Sequence, residues 1–409
     1  MSSTKTRALA ALAVMLAVLL IFAGLFFASH IVHKTVAGAS PTRSLTPTPT
    51  IDTLGWQRVA GLPNGHWVAF GRSSPLDGYA CSSQANSALA INVSTDGGQT
   101  WVPVASPPVS GPWCRIYVNP YNGREVIASA IGCWDCINGM SMLARSLDGG
   151  NSWTSLTVPP GNEASGATAF DAPVWTPTSL YLPVDFPAGQ TTQNQTPPAH
   201  VLAVSIDGHA LVWTKTDPFV AAAASTANFY PLAAFAVGVQ YIIGHHEQQT
   251  PNYDFSSTTD GGATWRTFIG GFGLIHFLST YYGNTTIGID GDSGSQLAIT
   301  RDGGANWQAL PAFATDIEFE VMTGDGIFFG KDGTIYAVGS SAPPALAVYA
   351  LTPGGVNWHL LTSYAYGQEP IAVSVNAAGL PAALWSVQYA TTAGGDTSAT
   401  SGIFTYPLS

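Results

Sequence analysis

The sequence predicts an all-β fold, a seven-bladed β-propeller preceded by one N-terminal transmembrane helix. Three observations lead to this prediction: a composition rich in turn residues, a short motif repeated along the chain, and a regular spacing of tryptophans. The 409 residues include 44 Gly and 28 Pro, and only 9% are charged, which is unlike a helical bundle or a disordered chain. A turn-rich all-β structure fits this composition best.

The charge balance argues against nucleic acid as a partner. The chain has 24 acidic and 13 basic residues and a formal net charge of -11. It therefore lacks the basic surface that neutralisation of phosphates requires.

The N-terminal region has the character of a membrane anchor. Residues 8–28 carry no charge, and a helix of about 20 apolar residues crosses a hydrocarbon core of about 30 Å. Lys5 and Arg7 precede this run, and such charges stay on the cytoplasmic side. We therefore expect a cytoplasmic N-terminus at residues 1–7, a transmembrane signal anchor at residues 8–32, and a single-pass protein of the cell membrane whose propeller lies on the extracellular side.

A cleaved signal peptide is the alternative, because residues 37–39 (AGA) have the small-x-small form of a cleavage site. The apolar run is longer than the roughly 7 to 15 residues of an ordinary signal peptide, which favours the anchor. Either interpretation exports the rest of the chain. Residues 40–53 form a Pro/Thr-rich linker that proline stiffens, and residues 54–409 form the predicted propeller.

A motif of the form Ser/Thr-x-Asp-x-Gly-x-x-Trp recurs along the predicted propeller. Four segments carry it in full, at residues 94–101, 146–153, 258–265 and 300–307. Two altered copies lie at residues 205–213, which is one residue longer, and at residues 352–358, where Pro353 replaces the Asp. The motif fits a tight turn, because the hydroxyl and carboxylate accept backbone N–H bonds, glycine supplies a positive φ, and the Trp buries its ring beneath the turn.

This pattern resembles the Asp-box, or bacterial neuraminidase repeat, of sialidases, sortilin-type receptors and photosystem II assembly-factor propellers. The resemblance covers residues 54–409, and it implies that each box joins the third and fourth strands of a blade and is structural. The residues expected to shape the turns are Ser94, Asp96, Gly98, Trp101, Ser146, Asp148, Gly150, Trp153, Asp207, Trp213, Thr258, Asp260, Gly262, Trp265, Thr300, Asp302, Gly304, Trp307 and Trp358.

The tryptophan spacing indicates the number of blades. Trp56 begins a segment similar to those that follow the boxes, so it marks a fourth strand without its box. From Trp56 the successive gaps are 45, 52, 60, 52, 42 and 51 residues, and 51 residues follow Trp358. Three strand-like runs in that tail, at residues 371–375, 380–387 and 402–408, complete a seventh blade with the Trp56 strand and leave no open edge. Six blades, the sialidase number, is the alternative.

Since the boxes join third and fourth strands, they lie opposite the loops that differ between blades. These loops are residues 133–140, 186–198, 245–253, 289–295 and 390–400. Variable loops on a rigid scaffold carry binding, so we expect a protein or glycan ligand on this loop face. The candidate binding residues are Trp134, Asp135, Glu163, His245, His246, Glu247, Asp290, Asp292, Tyr364, Tyr366 and Glu369.

The four cysteines, Cys81, Cys114, Cys133 and Cys136, map to the first two blades on the loop face. Outside the cytoplasm an even number suggests disulfides, with three possible connectivities. We favour Cys81 with Cys114, between neighbouring blades, and Cys133 with Cys136, within one loop. A redox-active pair or a zinc site is the functional alternative, but the chain lacks a βαβ context and a second C-x-x-C pair.

Two polar clusters allow a functional and an ordinary interpretation. The first cluster consists of His245, His246 and Glu247. In the functional interpretation these residues are metal ligands or an acid/base group, and in the ordinary one they form a solvated polar loop. Neighbouring side chains on a strand point to opposite faces, which favours the polar loop. Asp290 and Asp292 have the alternate spacing of a calcium loop but lack its closing glutamate, which favours a plain turn. We therefore expect no metal.

The aromatic residues Trp134, Tyr364 and Tyr366 offer rings on which a sugar can stack. The ordinary interpretation is that they belong to the apolar part of the surface, which is large in every protein. This second interpretation is the one we favour.

The sialidase resemblance implies three arginines around a substrate carboxylate, a Tyr/Glu pair, an acid/base Asp, and an Arg-Ile-Pro motif before the first box. Here Arg145, Arg266 and Arg301 lie at boxes, and the nearest match to the motif, at residues 115–117 (RIY), lacks the proline. We therefore predict a non-catalytic binding or scaffold propeller without a cofactor, similar to the assembly-factor propellers. An exo-acting glycoside hydrolase is the alternative, because two carboxylates suffice for that chemistry and the chain has six glutamates.

Overall fold

The computed structural model describes most of the predicted propeller. The described residues are 57–59, 62, 67–71, 77–83, 88–131, 142–157, 159–160, 169–170, 172–185, 202–216, 230–237, 239–246, 253–269, 286–290, 296–302, 306–312, 327–329, 333–340, 346–363, 370–376, 383–389 and 401–407. The predicted anchor and linker lie outside these ranges. Within them, no helix has the length and apolar character needed to cross a bilayer.

The described residues form β-strands joined by turns. The strands are β1 (Gln57–Arg58), β2 (Trp67–Phe70), β3 (Gly78–Ser83), β4 (Leu89–Ser94), β5 (Val102–Pro103), β6 (Trp113–Val118), β7 (Val126–Ile131), β8 (Met142–Ser146), β9 (Thr154–Leu156), β10 (Ala169–Phe170), β11 (Val174–Trp175), β12 (Ser179–Asp185), β13 (Leu202–Ile206), β14 (Val212–Trp213), β15 (Tyr230–Val237), β16 (Gln240–His246), β17 (Tyr253–Thr258), β18 (Arg266–Ile269), β19 (Thr286–Asp290), β20 (Gln296–Thr300), β21 (Trp307–Ala309), β22 (Ile327–Phe329), β23 (Ile335–Ser340), β24 (Leu346–Leu351), β25 (His359–Ser363), β26 (Pro370–Asn376), β27 (Ala383–Tyr389) and β28 (Ser401–Pro407).

These strands pair into seven antiparallel sheets among the described residues. Sheet 1 contains β2 to β5, sheet 2 β6 to β9, sheet 3 β10 to β14, sheet 4 β15 to β18, sheet 5 β19 to β21, sheet 6 β22 to β25, and sheet 7 β26 to β28 together with β1. In sheet 3 both β10 and β11 pair with β12, so these two short strands together take the place of the first strand of the sheet. Apart from β1, every sheet is built from consecutive strands.

The hydrophobic core lies between neighbouring sheets. In β4, Leu89, Ile91 and Val93 alternate with less buried residues and leave 7% or less of their surface exposed, as expected for a strand with one face packed. They belong to one buried cluster with Ile116 and Val126 of sheet 2. Similar clusters lie between sheets 2 and 3, between sheets 3 and 4, and between sheets 5 and 6. Another cluster joins Ile403 of sheet 7 to Val68 and Ala80 of sheet 1. Each sheet therefore packs against at least one neighbour.

The first strands of neighbouring sheets meet, as they do around the axis of a propeller. Strand β2 contacts both β6 and β26, β22 contacts β26, and β11 contacts β15. Consecutive antiparallel sheets with their first strands side by side form a β-propeller. The all-β prediction is thereby confirmed.

The two ends of the propeller sequence meet in sheet 7. Gln57 of β1 lies opposite Thr405 of β28, and the Val59 amide donates to the Ile403 carbonyl at 2.8 Å. This confirms the predicted pairing of the N-terminal strand with the run at residues 402–408. Trp56 itself is outside the described residues.

Antiparallel pairing assigns the connections to two opposite faces. We call the turn face the one that carries the connections from first to second and from third to fourth strands. The loop face carries the other connections. On the turn face of sheet 2, the Gly149 amide donates to the Arg124 carbonyl at 2.8 Å. This bond joins the turn between β8 and β9 to the turn between β6 and β7. The repeated motif therefore lies on the turn face, as predicted.

Candidate functional site

The repeated motif forms a turn held by its own side chains. In sheet 2, Ser146 Oγ donates to Asp148 Oδ1 at 2.8 Å and accepts the Gly150 amide at 2.8 Å. Asp148 in turn accepts the Ser152 amide at 2.9 Å and the Ser152 hydroxyl at 2.6 Å. We call each such segment a repeat turn, and the one in sheet 2 has all its polar side chains engaged within eight residues.

The same bonds recur in the other complete repeat turns. The hydroxyl-to-carboxylate distance is 2.8 Å in sheet 1, 2.8 Å in sheet 4 and 2.9 Å in sheet 5. The residue before the Trp always donates its amide and its side chain to the carboxylate. These donors are Thr100, Ser152, Thr264 and Asn306. The motif does not specify this position, although a polar residue stands there in all four complete copies.

The hydrogen bonds favour the ionised carboxylates. At Asp148 and Asp260, the bonds from Ser152 and Thr264 lower the pKa to about 2. At Asp96 and Asp302, desolvation raises the pKa, but the hydrogen bonds outweigh it and the pKa is lowered. The turn face therefore carries fixed negative charges that stabilise its own turns.

Glycine is required in these turns for two reasons. Gly149 and Gly150 have φ of 77° and 89°, in the region that side chains rarely adopt. A Cβ at Gly150 would also lie 3.0 Å from Val104 Cγ2 of sheet 1 and 3.6 Å from the Trp153 ring. The second glycine thus permits close approach of the neighbouring sheet.

The repeat-turn tryptophans connect neighbouring sheets. Trp153 Nε1 donates to the Ala105 carbonyl of the preceding sheet at 2.9 Å. Three others do the same: Trp213 to the Pro160 carbonyl at 2.8 Å, Trp265 to the Thr216 carbonyl at 2.6 Å, and Trp358 to the Pro311 carbonyl at 2.9 Å. All four side chains are partly buried and pack against the hydrophobic clusters between the sheets, as expected for rings beneath the turns. Their indole N–H needs a partner at the sheet boundary, which a backbone carbonyl supplies.

The altered turn of sheet 3 is completed by a residue from sheet 2. Its extra residue is accommodated by Asp207, which has a φ of 50°. Ser205 Oγ donates to the His209 carbonyl instead of accepting a glycine amide. Arg145 Nη1 of sheet 2 donates to Ser205 Oγ at 2.8 Å. The arginine therefore replaces a bond that the complete motif makes within itself.

Arg145 also belongs to a buried charge network between sheets 2 and 3. Its Nη2 lies 2.6 Å from Glu125 Oε1, with 7% and 10% of the two side chains exposed. Trp175 Nε1 donates to the same oxygen at 2.9 Å, and Asn119 Nδ2 donates to Oε2 at 2.7 Å. Both charges are thus paired and hydrogen-bonded, as buried ions require.

At the loop face, a disulfide joins sheets 1 and 2. Cys81 near the end of β3 is bonded to Cys114 near the start of β6, which confirms the predicted pair. Both residues are buried, and a bridge between Ala88 and Ser110 connects the same two sheets. Cys133 and Cys136 lie outside the described residues, so their pairing stays a prediction.

Next to this disulfide, Arg115 lies over an aromatic ring. Its guanidinium carbon is 5.0 Å from the centre of the Trp67 ring, within the range of a cation–π contact. Arg115 is 8% exposed. Among the arginines that the structure describes, Arg115 is the one toward the loop-face end of a first strand. Arg124, Arg145, Arg266 and Arg301 lie at the turn-face end of their sheets, so the placement expected for the arginines at the boxes is confirmed.

The predicted binding residues fall mostly outside the described residues. These are Trp134, Asp135, Glu163, Glu247, Asp292, Tyr364, Tyr366 and Glu369. Asp290 is the last residue of β19, opposite Gln296, at the loop-face end. The expectation that residues 289 and 290 belong to a loop is therefore wrong, because both pair with β20. Whether these positions form one site stays a prediction.

His245 and His246 are the last two residues of β16. They pair with Pro231 and Tyr230 of β15 on one side and with Asp254 and Tyr253 of β17 on the other. The expectation that they belong to a loop is wrong, because strand pairing on both sides extends β16 through them.

The strand order defines the chain as a β-propeller. No family model and no curated protein matches its sequence. Among solved structures, it is similar to YCF48 bound to a D1 peptide, with 12% identity, a TM-score of 0.47, and coverage of 91% of this chain and 100% of that one. It is also similar to YCF48 from Cyanidioschyzon merolae, with 12% identity, a TM-score of 0.48, and coverage of 86% and 98%.

A third similar structure is the β-propeller domain of the Trilobed protease from Pyrococcus furiosus, with 8% identity, a TM-score of 0.48, and coverage of 84% and 96%. At these identities the likeness concerns the fold alone. The assignment as a propeller rests on the strand pairing of this chain.

Proposed function

We propose that this chain is a seven-bladed propeller of the Asp-box type, anchored by its N-terminal helix and exposed outside the cytoplasm, which binds a protein or glycan through its loop face without catalysing a reaction. The observation that carries the proposal is the difference between the two faces. The turn face is built from nearly identical turns whose polar groups bond to one another. The loop face carries the connections that differ.

The lengths of these connections support a binding role for the loop face. Strand β7 ends at Ile131 and β8 starts at Met142, β12 ends at Asp185 and β13 starts at Leu202, and β27 ends at Tyr389 and β28 starts at Ser401. Other second-to-third connections are much shorter, such as the one between Asp290 and Gln296. Insertions of unequal length on a repeated scaffold are typical of a binding surface.

The Cys81–Cys114 disulfide supports an extracytoplasmic location. Disulfides persist in oxidising compartments and are rare in the cytosol. This agrees with an exported propeller behind an N-terminal anchor.

The engagement of the turn-face charges supports a non-catalytic role. Arg145 and Glu125 are paired with each other, and the repeat-turn Asp carboxylates accept bonds within their own turns. These groups are therefore used for structure and are not free to act on a substrate. We therefore place the ligand site on the loop face.

The experiment compares ligand binding with turnover in the full chain in detergent. Residues 186–201 are replaced by a Gly/Ser segment of equal length, and Thr259→Ser on the turn face is the matched control. We expect the loop variant to lose binding on a glycan array or to a purified envelope protein while its melting temperature stays unchanged. The control is expected to bind as the original chain does.

The same preparation is incubated with sialosides and aryl glycosides. Turnover that Glu247→Gln or Glu369→Gln abolishes would replace the proposal by the glycoside hydrolase alternative. Loss of binding by Thr259→Ser but not by the loop variant would show that the turn face binds instead.

A further inference from the structure

The turn between β6 and β7 contains an asparagine followed by a glycine, at Asn122 and Gly123. Of the asparagines that the structure describes, Asn122 is the one with glycine after it. In such a pair the backbone nitrogen of the glycine can reach the side-chain carbon of the asparagine, because glycine has no Cβ to obstruct the approach. The pair is therefore a candidate for a reaction within the chain itself.

Hydrogen bonds fold the Asn122 side chain back along the turn. Its Oδ1 accepts the Arg124 amide at 3.2 Å, and its backbone carbonyl accepts the Glu125 amide at 2.9 Å. The first bond forms an Asx turn, which encloses the Gly123 peptide and holds the asparagine Cγ on the side of the Gly123 nitrogen. Groups held in such an arrangement react more readily than free ones. Asn122 is also exposed, so water reaches its side chain.

We propose that Asn122 is a site of spontaneous deamidation, where the side-chain amide is lost as ammonia and aspartate and isoaspartate are formed. The Gly123 nitrogen gives its proton to water and bonds to Asn122 Cγ. The bond from Cγ to Nδ2 breaks, and Nδ2 takes up a proton and leaves as ammonia. A water molecule then opens the cyclic imide at either of its carbonyls. One product is aspartate, and the other is isoaspartate, in which the main chain runs through the former side chain.

The repeat turns contain a related pair that their own hydrogen bonds protect. Asp148 is followed by Gly149, and Asp260 by Gly261. Ring closure at an aspartate requires a neutral carboxyl group, because an ionised one has no group that can leave. Hydrogen bonds within the turns lower the pKa of both carboxyls to about 2, so both are ionised at neutral pH. The Asn122 amide is uncharged at that pH and has no protection of this kind.

Two neighbouring asparagines serve as internal comparisons. Asn119 precedes Pro120, which has no backbone N–H to lose. Asn151 precedes Ser152, and its Nδ2 donates to the Asp148 carbonyl at 2.7 Å. The Ser152 amide donates to Asp148 Oδ1 at 2.9 Å. Both nitrogen atoms that would take part in the reaction at Asn151 are therefore engaged in hydrogen bonds.

The turn of Asn122 lies where three sheets meet, so a change in its backbone affects more than the turn. Tyr79 of sheet 1 donates its hydroxyl to the Gly123 carbonyl at 2.7 Å. Trp175 of sheet 3 donates its Nε1 to Glu125 Oε1 at 2.9 Å. Isoaspartate inserts an extra methylene into the main chain next to these contacts, whereas aspartate keeps the length of the chain. We therefore expect isoaspartate to weaken both contacts and aspartate to leave them in place.

The experiment follows Asn122 in the full chain in detergent, kept folded in a mildly alkaline buffer. A synthetic peptide of residues 116–124 (IYVNPYNGR) is the unfolded reference, and trypsin releases the same peptide from the chain by cleaving after Arg115 and Arg124. Mass spectrometry detects the exchange of an amide for an acid, and fragment ions assign it to residue 119 or 122. We expect conversion at Asn122 in the folded chain to be at least as fast as in the peptide, with none at Asn119 or Asn151.

Variants separate this reaction from general damage to the chain. Asn122→Gln is expected to abolish the mass change in this peptide, and Asn151→Gln, the matched control, to leave it as it was. Gly123→Ala is expected to convert about fivefold more slowly, because alanine lacks the backbone freedom of glycine. If Gly123→Ala does not fold, the same substitution in the synthetic peptide supplies the comparison.

Thermal unfolding of the aged chain tests the structural consequence. After chromatographic separation, the isoaspartate form is expected to melt at a lower temperature than Asn122→Asp, which should melt close to the original chain. An isoaspartate form as stable as Asn122→Asp would contradict this consequence. The deamidation site itself is overturned if Asn122 of the folded chain keeps its amide while the peptide converts completely, or if Asn151 converts as fast as Asn122.

Discussion

Arg145 Nη1 lies 2.8 Å from Ser205 Oγ, so a side chain of sheet 2 completes a turn of sheet 3. The same guanidinium pairs with Glu125. Its Nε is buried and has no hydrogen-bond partner within the described part of the chain. One arginine thus joins two sheets at a position where the repeated motif is altered.

Replacing Arg145 by Met is expected to lower the free energy of unfolding by about 3 to 5 kcal/mol, because it leaves the buried Glu125 carboxylate without its counter-charge. Urea unfolding of the full chain, followed by tryptophan fluorescence, measures the change. Arg301→Met is the control, since Arg301 is exposed, and about 0.5 kcal/mol or less is expected there. Adding Glu125→Gln to Arg145→Met should restore part of the loss, and a further additive loss would contradict the pairing.

Removal of the Cys81–Cys114 disulfide should destabilise the propeller. The bond spans a sequence separation of 33, and the loss of that constraint on the unfolded chain corresponds to about 3 to 4 kcal/mol. Thermal unfolding of Cys81→Ala with Cys114→Ala, compared with the original chain, measures it. Mass spectrometry of a non-reduced digest should first find the peptides of Cys81 and Cys114 linked. A free thiol at either residue would refute the disulfide.

Acid should weaken the repeat turns. The pKa values of Asp148 and Asp260 fall from 3.8 in the unfolded chain to about 2 in the folded one. Their contribution is complete above the unfolded value and is lost as the pH falls through the folded value. The melting temperature is therefore expected to drop between about pH 4 and pH 2. Asp148→Asn with Asp260→Asn should flatten this drop, and an equally steep drop in the variant would exclude these groups as its cause.

Each hydrogen bond from a repeat-turn tryptophan to the preceding sheet is expected to stabilise the folded chain. Trp265→Phe removes the donor to the Thr216 carbonyl, which lies 2.6 Å away, while keeping an aromatic ring. A loss of about 1 kcal/mol in the free energy of unfolding is expected. Trp101→Phe is the comparison, because Trp101 Nε1 donates to Gly98 of its own turn. Hydrogen exchange near Thr216 should increase in Trp265→Phe, and unchanged exchange there would argue against the bond.

The turn chemistry could be predicted because it is local. A hydroxyl two residues before a carboxylate can reach it whatever the rest of the chain does, as Ser146 and Asp148 show. The pairing of β1 with β28 could be predicted because Trp56 begins a segment that resembles a fourth strand but follows no box. Such a strand needs the last three strands of the chain to complete a sheet. The disulfide between Cys81 and Cys114 followed from their position in neighbouring blades.

The contacts between sheets could not be predicted in the same way. The acceptor of Trp153 is the Ala105 carbonyl. Every residue has a backbone carbonyl, so the sequence does not show which one accepts the bond. Arg145 and Ser205 are 60 residues apart in the sequence, so the sequence around neither residue indicates the contact. His245 and His246 are polar, but pairing with β15 and β17 places them in a strand. Register depends on the partner strands, which composition does not encode.

The closure of sheet 7 has a consequence for biosynthesis. The Thr405 hydroxyl donates to the Gln57 carbonyl across a separation of 348 residues. Strand β1 is therefore synthesised early but can pair only after β28 has been synthesised. Until β28 is complete, β1 has no partner and the nascent ring keeps one unpaired edge, which is the kind of surface that chaperones protect. Pairing over so long a stretch is also slow to find by diffusion. A nascent chain that stops short of β28 therefore ends as an open arc, whose first strand has no partner sheet to join.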